Sequence, residues 1–418
     1  MPIWSERLST PPGGGRSGKR GSNARAAILG ILLAWPAIAG EKAAGIGRPL
    51  LVIISLDGVR HDYPDRISGG GFSRLIQEGT SADRLLPAFP ASTFPAHVTL
   101  ATGCFAERHG ILNSRFLDVR RGEFDRSKEP DWIGCEPLWI TAERQGVRTA
   151  VLNWTGSFGF WGGREATFHD REFTSRTDRE ALDQILRWTG RPPDSRPRLI
   201  LAYFAGADHP GHRNGPDSPE VGTSIRRLDG MLRELERELE RASPMPANLI
   251  VVSDHGMALR KGQLDPGAVL AGHGIGNRTF CSGGSANVYL RTIRALPGAI
   301  RILSELPGLR VFPQEGIPAE FHYRYPGRTG DIVLLAPVGV ELVADGSRPS
   351  SDQGVHGYLG SEESMGGVFF GWGPSFRRGL RVSQIRAVDL YPLACALLGI
   401  QVSPQNQGKL RSDLLNPR

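Results

Sequence analysis

Three short apolar runs in this chain each lead to an acidic residue: Leu51-Val-Ile-Ile-Ser-Leu runs into Asp57, Leu199-Ile-Leu-Ala-Tyr-Phe toward Asp208, and Leu249-Ile-Val-Val-Ser into Asp254. Short aliphatic and β-branched runs followed by polar loops read as parallel strands buried on both faces, and Arg148 to Asn153 is another of the kind. Between them the spacing predicts helices over Phe72 to Glu78, Arg179 to Trp188 and Val221 to Arg241, the last with Leu228, Met231, Leu235 and Leu239 at helical intervals. Strands alternating with helices imply an α/β fold, a doubly wound and mostly parallel sheet with helices on both faces. In such a sheet the carboxyl ends of the strands share one edge, where ligands bind, so the three carboxylates are expected to gather there.

Composition narrows the class. With 418 residues, 39% hydrophobic and 22% charged, the chain buries a sizeable core, and disorder throughout is excluded. The formal charge is +7, but Arg7, Arg16, Lys19, Arg20 and Arg25 against Glu6 supply more than half of it. No sustained Lys/Arg run follows, so polymeric nucleic acid is not an expected partner. That basic start precedes an apolar run from Ala26 to Ala39 ending Ala37-Ile38-Ala39, the pattern of a signal peptide over residues 1–39 cleaved after Ala39. The mature protein is then exported, periplasmic or secreted, with no stable membrane span; an uncleaved anchor is the alternative.

Cys104, Cys135, Cys281 and Cys395 show no CxxC spacing, which argues against a thiolate zinc site and leaves three pairings, or free thiols, open. Residues 40–255 read as the first part of a catalytic core. Short strands, Gly/Pro breaks and a helix near Pro297 to Leu306 mark 256–351 as an inserted α+β cap-like subdomain. Residues 352–418 complete the core with a strand at Gly367 to Phe370 and a closing helix around Ala387 to Leu398.

One acidic residue at a strand end is ordinarily a turn or cap residue. Here His212 follows Asp208 by four positions and His255 follows Asp254 directly, and carboxylates with neutral imidazoles suit zinc or a similar divalent ion. More than four candidate ligands imply two ions, an arrangement that clamps an in-line displacement at phosphorus. In Pro90-Ala-Ser-Thr-Phe-Pro-Ala-His-Val-Thr-Leu, Thr93 opens a helix whose Pro95 fits the first turn, which places its hydroxyl where a phosphate would bind. The plainer reading makes Ser92 or Thr93 a helix N-cap.

These segments, taken in order, resemble the type I phosphodiesterase/nucleotide pyrophosphatase family of the alkaline phosphatase superfamily. The likeness runs through Leu51-Val-Ile-Ile-Ser-Leu-Asp-Gly, Ser92-Thr-Phe-Pro-Ala-His, Thr102-Gly, His109-Gly-Ile, Glu136-Pro-Leu-Trp-Ile-Thr-Ala-Glu-Arg-Gln-Gly and Trp154-Thr-Gly-Ser. It continues through Tyr203-Phe-Ala-Gly-Ala-Asp-His-Pro-Gly-His, Val252-Ser-Asp-His-Gly-Met, Val355-His-Gly-Tyr, Gly373-Pro-Ser-Phe and Asp389-Leu-Tyr-Pro-Leu. The resemblance implies that Thr93 is a covalent nucleophile and that Asp57, Thr93, Asp254 and His255 surround one zinc. It implies that Asp208, His212 and His356 hold a second, and His356 is reached by the resemblance alone.

The implied reaction is hydrolysis of a small phosphodiester or pyrophosphate, such as a nucleotide, through phosphothreonine. Phe94 and Tyr203 would sandwich the base, unless both are ordinary core aromatics. Three departures stand out. Ala96 replaces a frequent Asn, Ala207 a frequent Pro, and Ser114 occupies the place of an oxyanion-binding Asn, with Asn113 immediately before it. Either Asn113 reaches the phosphate oxygens or Ser114 donates instead. A sulfatase would need Cys/Ser-x-Pro-x-Arg, which Thr93-Phe-Pro-Ala-His lacks. A phosphomonoesterase of the same superfamily and a non-catalytic binding protein with this fold are the remaining alternatives.

Overall fold

The computed structural model describes residues 49–417 apart from 127–129, 171–176, 242–245 and 345–350; the signal-peptide segment expected at 1–39 lies outside the described residues. The strand Leu50–Leu56 is buried at all seven positions and lies between Leu199–Phe204 and Ala247–Val252, parallel to both. Its side chains alternate. Leu50, Val52, Ile54 and Leu56 enter a core beneath the helices Gly71–Glu78, Asp178–Thr189 and Pro219–Arg241. Leu51 and Ile53 enter the core on the other face, with Leu100 of the helix Thr93–Thr102, Trp139 of Leu138–Arg144 and Leu393 of Leu390–Leu398. With both faces covered, the strand has no need of the polar alternation a half-exposed sheet shows.

Among the described residues the sheet has eight strands in the order Leu380–Arg386, Thr80–Leu86, Gly367–Trp372, Ala247–Val252, Leu50–Leu56, Leu199–Phe204, Thr149–Leu152, Phe168–Asp170. Only Gly367–Trp372 is reversed, antiparallel to both neighbours. The strands Thr80–Leu86 and Leu380–Arg386 add to those expected from sequence; they pair parallel, and Asp83 and Arg381 meet across them at the edge. From Leu50–Leu56 the chain passes to Thr80–Leu86 on one side of it, and Thr149–Leu152, Phe168–Asp170 and Leu199–Phe204 later fill the other side, so its carboxyl end opens between flanking parallel strands, where ligands bind in such sheets.

A second, antiparallel sheet, Asn277–Ser282, Ser285–Leu290, Ile332–Leu335 and Arg310–Pro313, is backed by the helices Pro266–Gly272 and Leu296–Ser304. Its core takes in Phe116, Phe124 and Trp132 from an earlier stretch of chain as well as Val288 and Leu334. Cys104 and Cys135 form a disulfide across a 31-residue separation, while Cys281 and Cys395 stay unbridged. By loop-closure entropy a bridge of that span contributes about 3–4 kcal/mol. Among the described residues no helix is long and apolar enough to cross a membrane.

The long helix Pro219–Arg241 carries two buried acids with opposite circumstances. Asp229 accepts the backbone N–H of Phe72 at 2.8 Å and so caps the helix Gly71–Glu78, which requires Gly70, because a Cβ there would lie 1.5 Å from Asp229 Oδ2. Glu236 has no hydrogen-bond partner for either carboxylate oxygen, and Arg74 Nη1 stands 3.9 Å away. Burial pushes the Glu236 carboxyl up to about 8. Because the folded chain holds this proton more tightly than the unfolded chain, stability falls as pH rises from the ordinary glutamate range through 8. Replacing Glu236→Gln is therefore expected to raise the melting temperature at pH 9 and change it little at pH 5; a gain independent of pH would contradict this.

Candidate active site

The strand ends deliver the acids by backbone interlock. Asp57 N–H donates to Phe204 O, and Asp57 O accepts from the amides of Ala207 and Asp208 at 2.9 and 3.1 Å. Gly58 N–H donates to Asp254 Oδ1 at 3.2 Å. Two left-handed glycines permit this contact: a Cβ on Gly58 (φ 66°) would sit 2.6 Å from Asp208 Cα, and one on Gly206 (φ 59°) 2.3 Å from Asp57 O. Asp57, Asp208 and Asp254 are thereby fixed over three adjacent strands.

Three imidazoles face these acids. His255 Nε2 lies 3.3 Å from Asp254 Oδ2 and 3.5 Å from Asp57 Oδ1; His212 Nε2 is 3.4 Å and His356 Nε2 3.9 Å from Asp208 Oδ1. The His255 and His356 rings stack at 3.8 Å, and those of His212 and His356 are 4.9 Å apart. Ligand atoms of Asp57, Asp254 and His255 lie within 4.8 Å of one another, as do those of Asp208, His255 and His356, so His255 stands between two potential metal groups.

The chemistry of this donor set fits cations. His212, His255 and His356 each direct Nδ1 at a backbone carbonyl, Gly354 O, Gly256 O and Ala91 O, at 3.0, 2.9 and 3.1 Å. A carbonyl only accepts, so each Nδ1 carries the proton and each Nε2 presents a lone pair when the ring is neutral. Opposite them, Asp57 Oδ1, Asp208 Oδ1 and Asp254 Oδ2 are buried without a hydrogen-bond partner. Acceptors thus face acceptors, which is costly unless a positive charge lies between them. Among protein groups alone the strain shows in protonation. Burial, reinforced by Asp254 and Asp208, pushes Asp57 well above the usual carboxylate range. Burial also acts to raise Asp208, but neighbouring His212, His356 and His255 hold it below that range. Burial opposes the charge on His212, yet Asp208 lifts it to about 9, whereas burial with His255 and His212 holds His356 far below its ordinary value. A divalent cation would supply what Asp57 and His212 otherwise obtain from protons.

Thr93 is the first residue of the helix Thr93–Thr102, and its Oγ1 lies 3.2 Å from His255 Nε2. Ser92 occupies the N-cap position without a side-chain capping bond; its hydroxyl instead meets that of Ser282 at 2.8 Å. The second sheet thereby braces the residue before Thr93. Its turn also supports His356, for Gly284 N–H donates to His356 O at 2.8 Å. His109 is buried and neutral, held down to about 3 by burial, and links Thr99 Oγ1 to the amide of Ile111. It ties the segment leading to Asn113 against the Thr93 helix. Asn113 is buried, and its Oδ1 accepts Ser114 N–H at 2.6 Å. Phe94 is partly exposed, with its ring 6.3 Å from Phe124.

Two contacts at the site go beyond the sequence reading. Tyr203 donates its hydroxyl to Asp57 Oδ2 at 2.6 Å, a positioning contact that base stacking did not suggest. His97, with no metal role expected, is fully buried; its Nδ1 is 2.8 Å from Thr93 O and 3.4 Å from Asp254 Oδ2, and its ring meets Tyr203 edge-on at 5.2 Å. Its place four residues after Thr93, one turn along the same helix face, was the available signal. His273, in the inserted region, is exposed and bonds Val269 O at a helix end.

An α/β sheet with acids and imidazoles at the carboxyl ends of its strands, and a hydroxyl at a facing helix N-terminus, is an arrangement suited to phosphoryl chemistry. Residues 51–359 match the family model described as type I phosphodiesterase / nucleotide pyrophosphatase, and the chain belongs to that family. It is an enzyme of the phosphodiesterase/nucleotide pyrophosphatase class with an alkaline phosphatase-like fold. An uncharacterised pyrophosphatase/phosphodiesterase of Schizosaccharomyces pombe is 31% identical over 415 residues, 91% of this chain and 86% of that protein. A bis(5'-adenosyl)-triphosphatase, enpp4 of Xenopus laevis, is 29% identical over 91% of this chain and 85% of its own. Murine ectonucleotide pyrophosphatase/phosphodiesterase 5, solved as an inactive threonine-to-alanine variant with AMP, superposes with a TM-score of 0.82 at 27% identity, covering 88% of this chain and all of that one.

The glycine interlock sets a specific expectation. Gly206→Ala forces a left-handed alanine whose Cβ collides with Asp57 O, and should cost about 1–3 kcal/mol of stability. It should also weaken metal binding at least tenfold, measured by competition with a chromophoric chelator. Unchanged metal affinity would show that the interlock does not set the positions of Asp57 and Asp208.

Proposed function

We propose that this protein hydrolyses phosphodiester or pyrophosphate bonds, with nucleotide-type substrates favoured, through a covalent phosphothreonine on Thr93. The observation that carries this reading is the Thr93 hydroxyl, set at a helix N-terminus and 3.2 Å from His255 Nε2 inside the acid and imidazole cluster. The donor set suits a pair of divalent cations, zinc by its mixture of carboxylate and imidazole ligands. Asp57, Thr93, Asp254 and His255 would hold one, and Asp208, His212 and His356 the other. When bound, such ions lower the pKa of hydroxyl and water nucleophiles and neutralise phosphate charge.

The chain's own groups do the rest. The early amides of the Thr93 helix offer an anion site for the phosphoryl group. Thr93 Oγ1, having lost its proton, forms the bond to phosphorus as the bond to the leaving group breaks. Water then cleaves the phosphothreonine and restores the hydroxyl. Asn113, oriented by its bond from Ser114 N–H, or Ser114 itself through its hydroxyl, would donate to a non-bridging oxygen. Tyr203, through Asp57, and His97, through the Thr93 carbonyl, hold nucleophile and ligand in register. Phe94 and Tyr203 would stack the nucleotide base, and residues 256–351 would act as the cap beside it. The apolar run at 26–39 and the Cys104–Cys135 bridge support an exported, periplasmic or secreted location.

The test is side-by-side hydrolysis of a chromogenic phosphodiester and its monoester by zinc-loaded protein, with Thr93→Ala beside it. Diester turnover is expected to exceed monoester turnover, and Thr93→Ala to lose at least about a thousandfold in kcat while retaining metal. Substantial turnover by Thr93→Ala would overturn the nucleophile, and a monoester preference would move the enzyme to the phosphomonoesterases.

A further inference from the structure

We propose that Arg60 is a positioning residue for the cation centre, a guanidinium clamp that holds the loop after Asp57, the loop after His255 and the segment after the His212 helix in one register. The inference rests on the two-cation reading of the site and adds to it the side chain that sets both halves of the ligand set together.

Arg60 lies three residues after Asp57, and its backbone pairs antiparallel with Gly367. Its guanidinium meets three segments of chain. Nε and Nη2 donate to the two oxygens of Asp62 at 2.6 and 3.0 Å, a side-on pairing that fixes the plane of the fork. Nη2 also donates to Asp217 Oδ1 at 3.0 Å, beyond the end of the helix Asp208–Asn214 that carries Asp208 and His212. Nη1 donates to Met257 O at 3.1 Å, two residues after His255. The fully buried Tyr63 ring lies under the guanidinium at 5.1 Å, and only 15% of the Arg60 side chain is exposed.

The bond to Met257 reaches the remaining ligands. Met257 is fully buried; a Cβ on Gly211 would lie 3.3 Å from its Cε, and one on Gly354 3.0 Å from its Sδ. Gly211 precedes His212, while Gly354 O accepts from His212 Nδ1 and stands two residues before His356. Gly256, between His255 and Met257, has no room for a side chain, since a Cβ there would lie 2.3 Å from Ser364 O and 3.0 Å from Arg60 Cγ. A shift of Arg60 is therefore passed to His255 along the backbone, and to His212 and His356 through the packed thioether.

The neighbouring Arg66 supplies a contrast. It shares both acids, with Nη2 2.7 Å from Asp62 Oδ2 and 2.7 Å from Asp217 Oδ1, and adds Pro216 O at 3.4 Å, but it is Arg60 that holds Met257. Burial acts to raise Asp62, yet Arg60 and Arg66 hold it below the ordinary carboxylate range, so the acid that orients the fork stays charged. Asp217 is 69% exposed, and an ion pair there contributes little to stability by itself.

Charge and position make opposite forecasts for the loss of Arg60. Removing a positive charge near a cation centre favours cation binding. Loosening the frame behind the ligands weakens it, by about ten- to a hundredfold when a group that supports a ligand is lost.

The experiment follows transfer of zinc from the loaded protein to a chromophoric chelator in native protein, Arg60→Gln, Arg60→Lys and Arg66→Gln, at a temperature well below each melting midpoint. Arg60→Gln should hold both ions at least about tenfold more weakly. Arg60→Lys keeps the charge but loses the fork, so it should be weakened similarly, and it carries the test if Arg60→Gln does not fold. Arg66→Gln should hold zinc nearly as the native protein does. Unchanged or tighter binding in the Arg60 variants overturns the proposal, as does weakening confined to one ion, full recovery in Arg60→Lys, or an equal loss in Arg66→Gln. A native protein that takes up fewer than two zinc ions would defeat the two-cation reading itself, and this proposal with it.

Discussion

Asp57, Asp208 and Asp254 crowd against His212, His255 and His356 in an arrangement that leaves acceptor opposite acceptor. With each Nδ1 committed to a backbone carbonyl, the imidazoles can offer the centre only lone pairs unless they take up a proton. The burial of three carboxylate oxygens without partners is tolerable in a folded protein only with compensating positive charge. Much of the surrounding structure serves this crowding: three parallel strands that end level, glycines that admit backbone to backbone, and a second sheet whose turn supports His356.

Substrate handling follows from what lies around that centre. The helix carrying Thr93 is held by His97 from within and by Ser282 at its start, so the hydroxyl is aimed by both sheets.

The main sheet was legible because Leu50–Leu56 is buried on both faces and needs only aliphatic side chains, a pattern sequence displays directly. Thr80–Leu86 carries Asp83 and Arg84, and Leu380–Arg386 is largely exposed, so neither presents an apolar run; their pairing depends on tertiary neighbours. Acids at strand ends could be foreseen from topology, but His356 follows the two-residue strand Gly354–Val355 and has no periodic pattern around it, which is why only the family resemblance reached it. The Cys104–Cys135 pairing was hidden for the same reason, since nothing in spacing distinguishes it from the other connectivities.

Whether the buried acceptor cluster is a two-cation centre can be read from zinc anomalous diffraction on crystals of the zinc-loaded protein. Two anomalous peaks are expected, one among Asp57, Thr93, Asp254 and His255 and one among Asp208, His212 and His356. Zinc density elsewhere, or an empty cluster whose carboxylate oxygens are satisfied by ordered water, would contradict it.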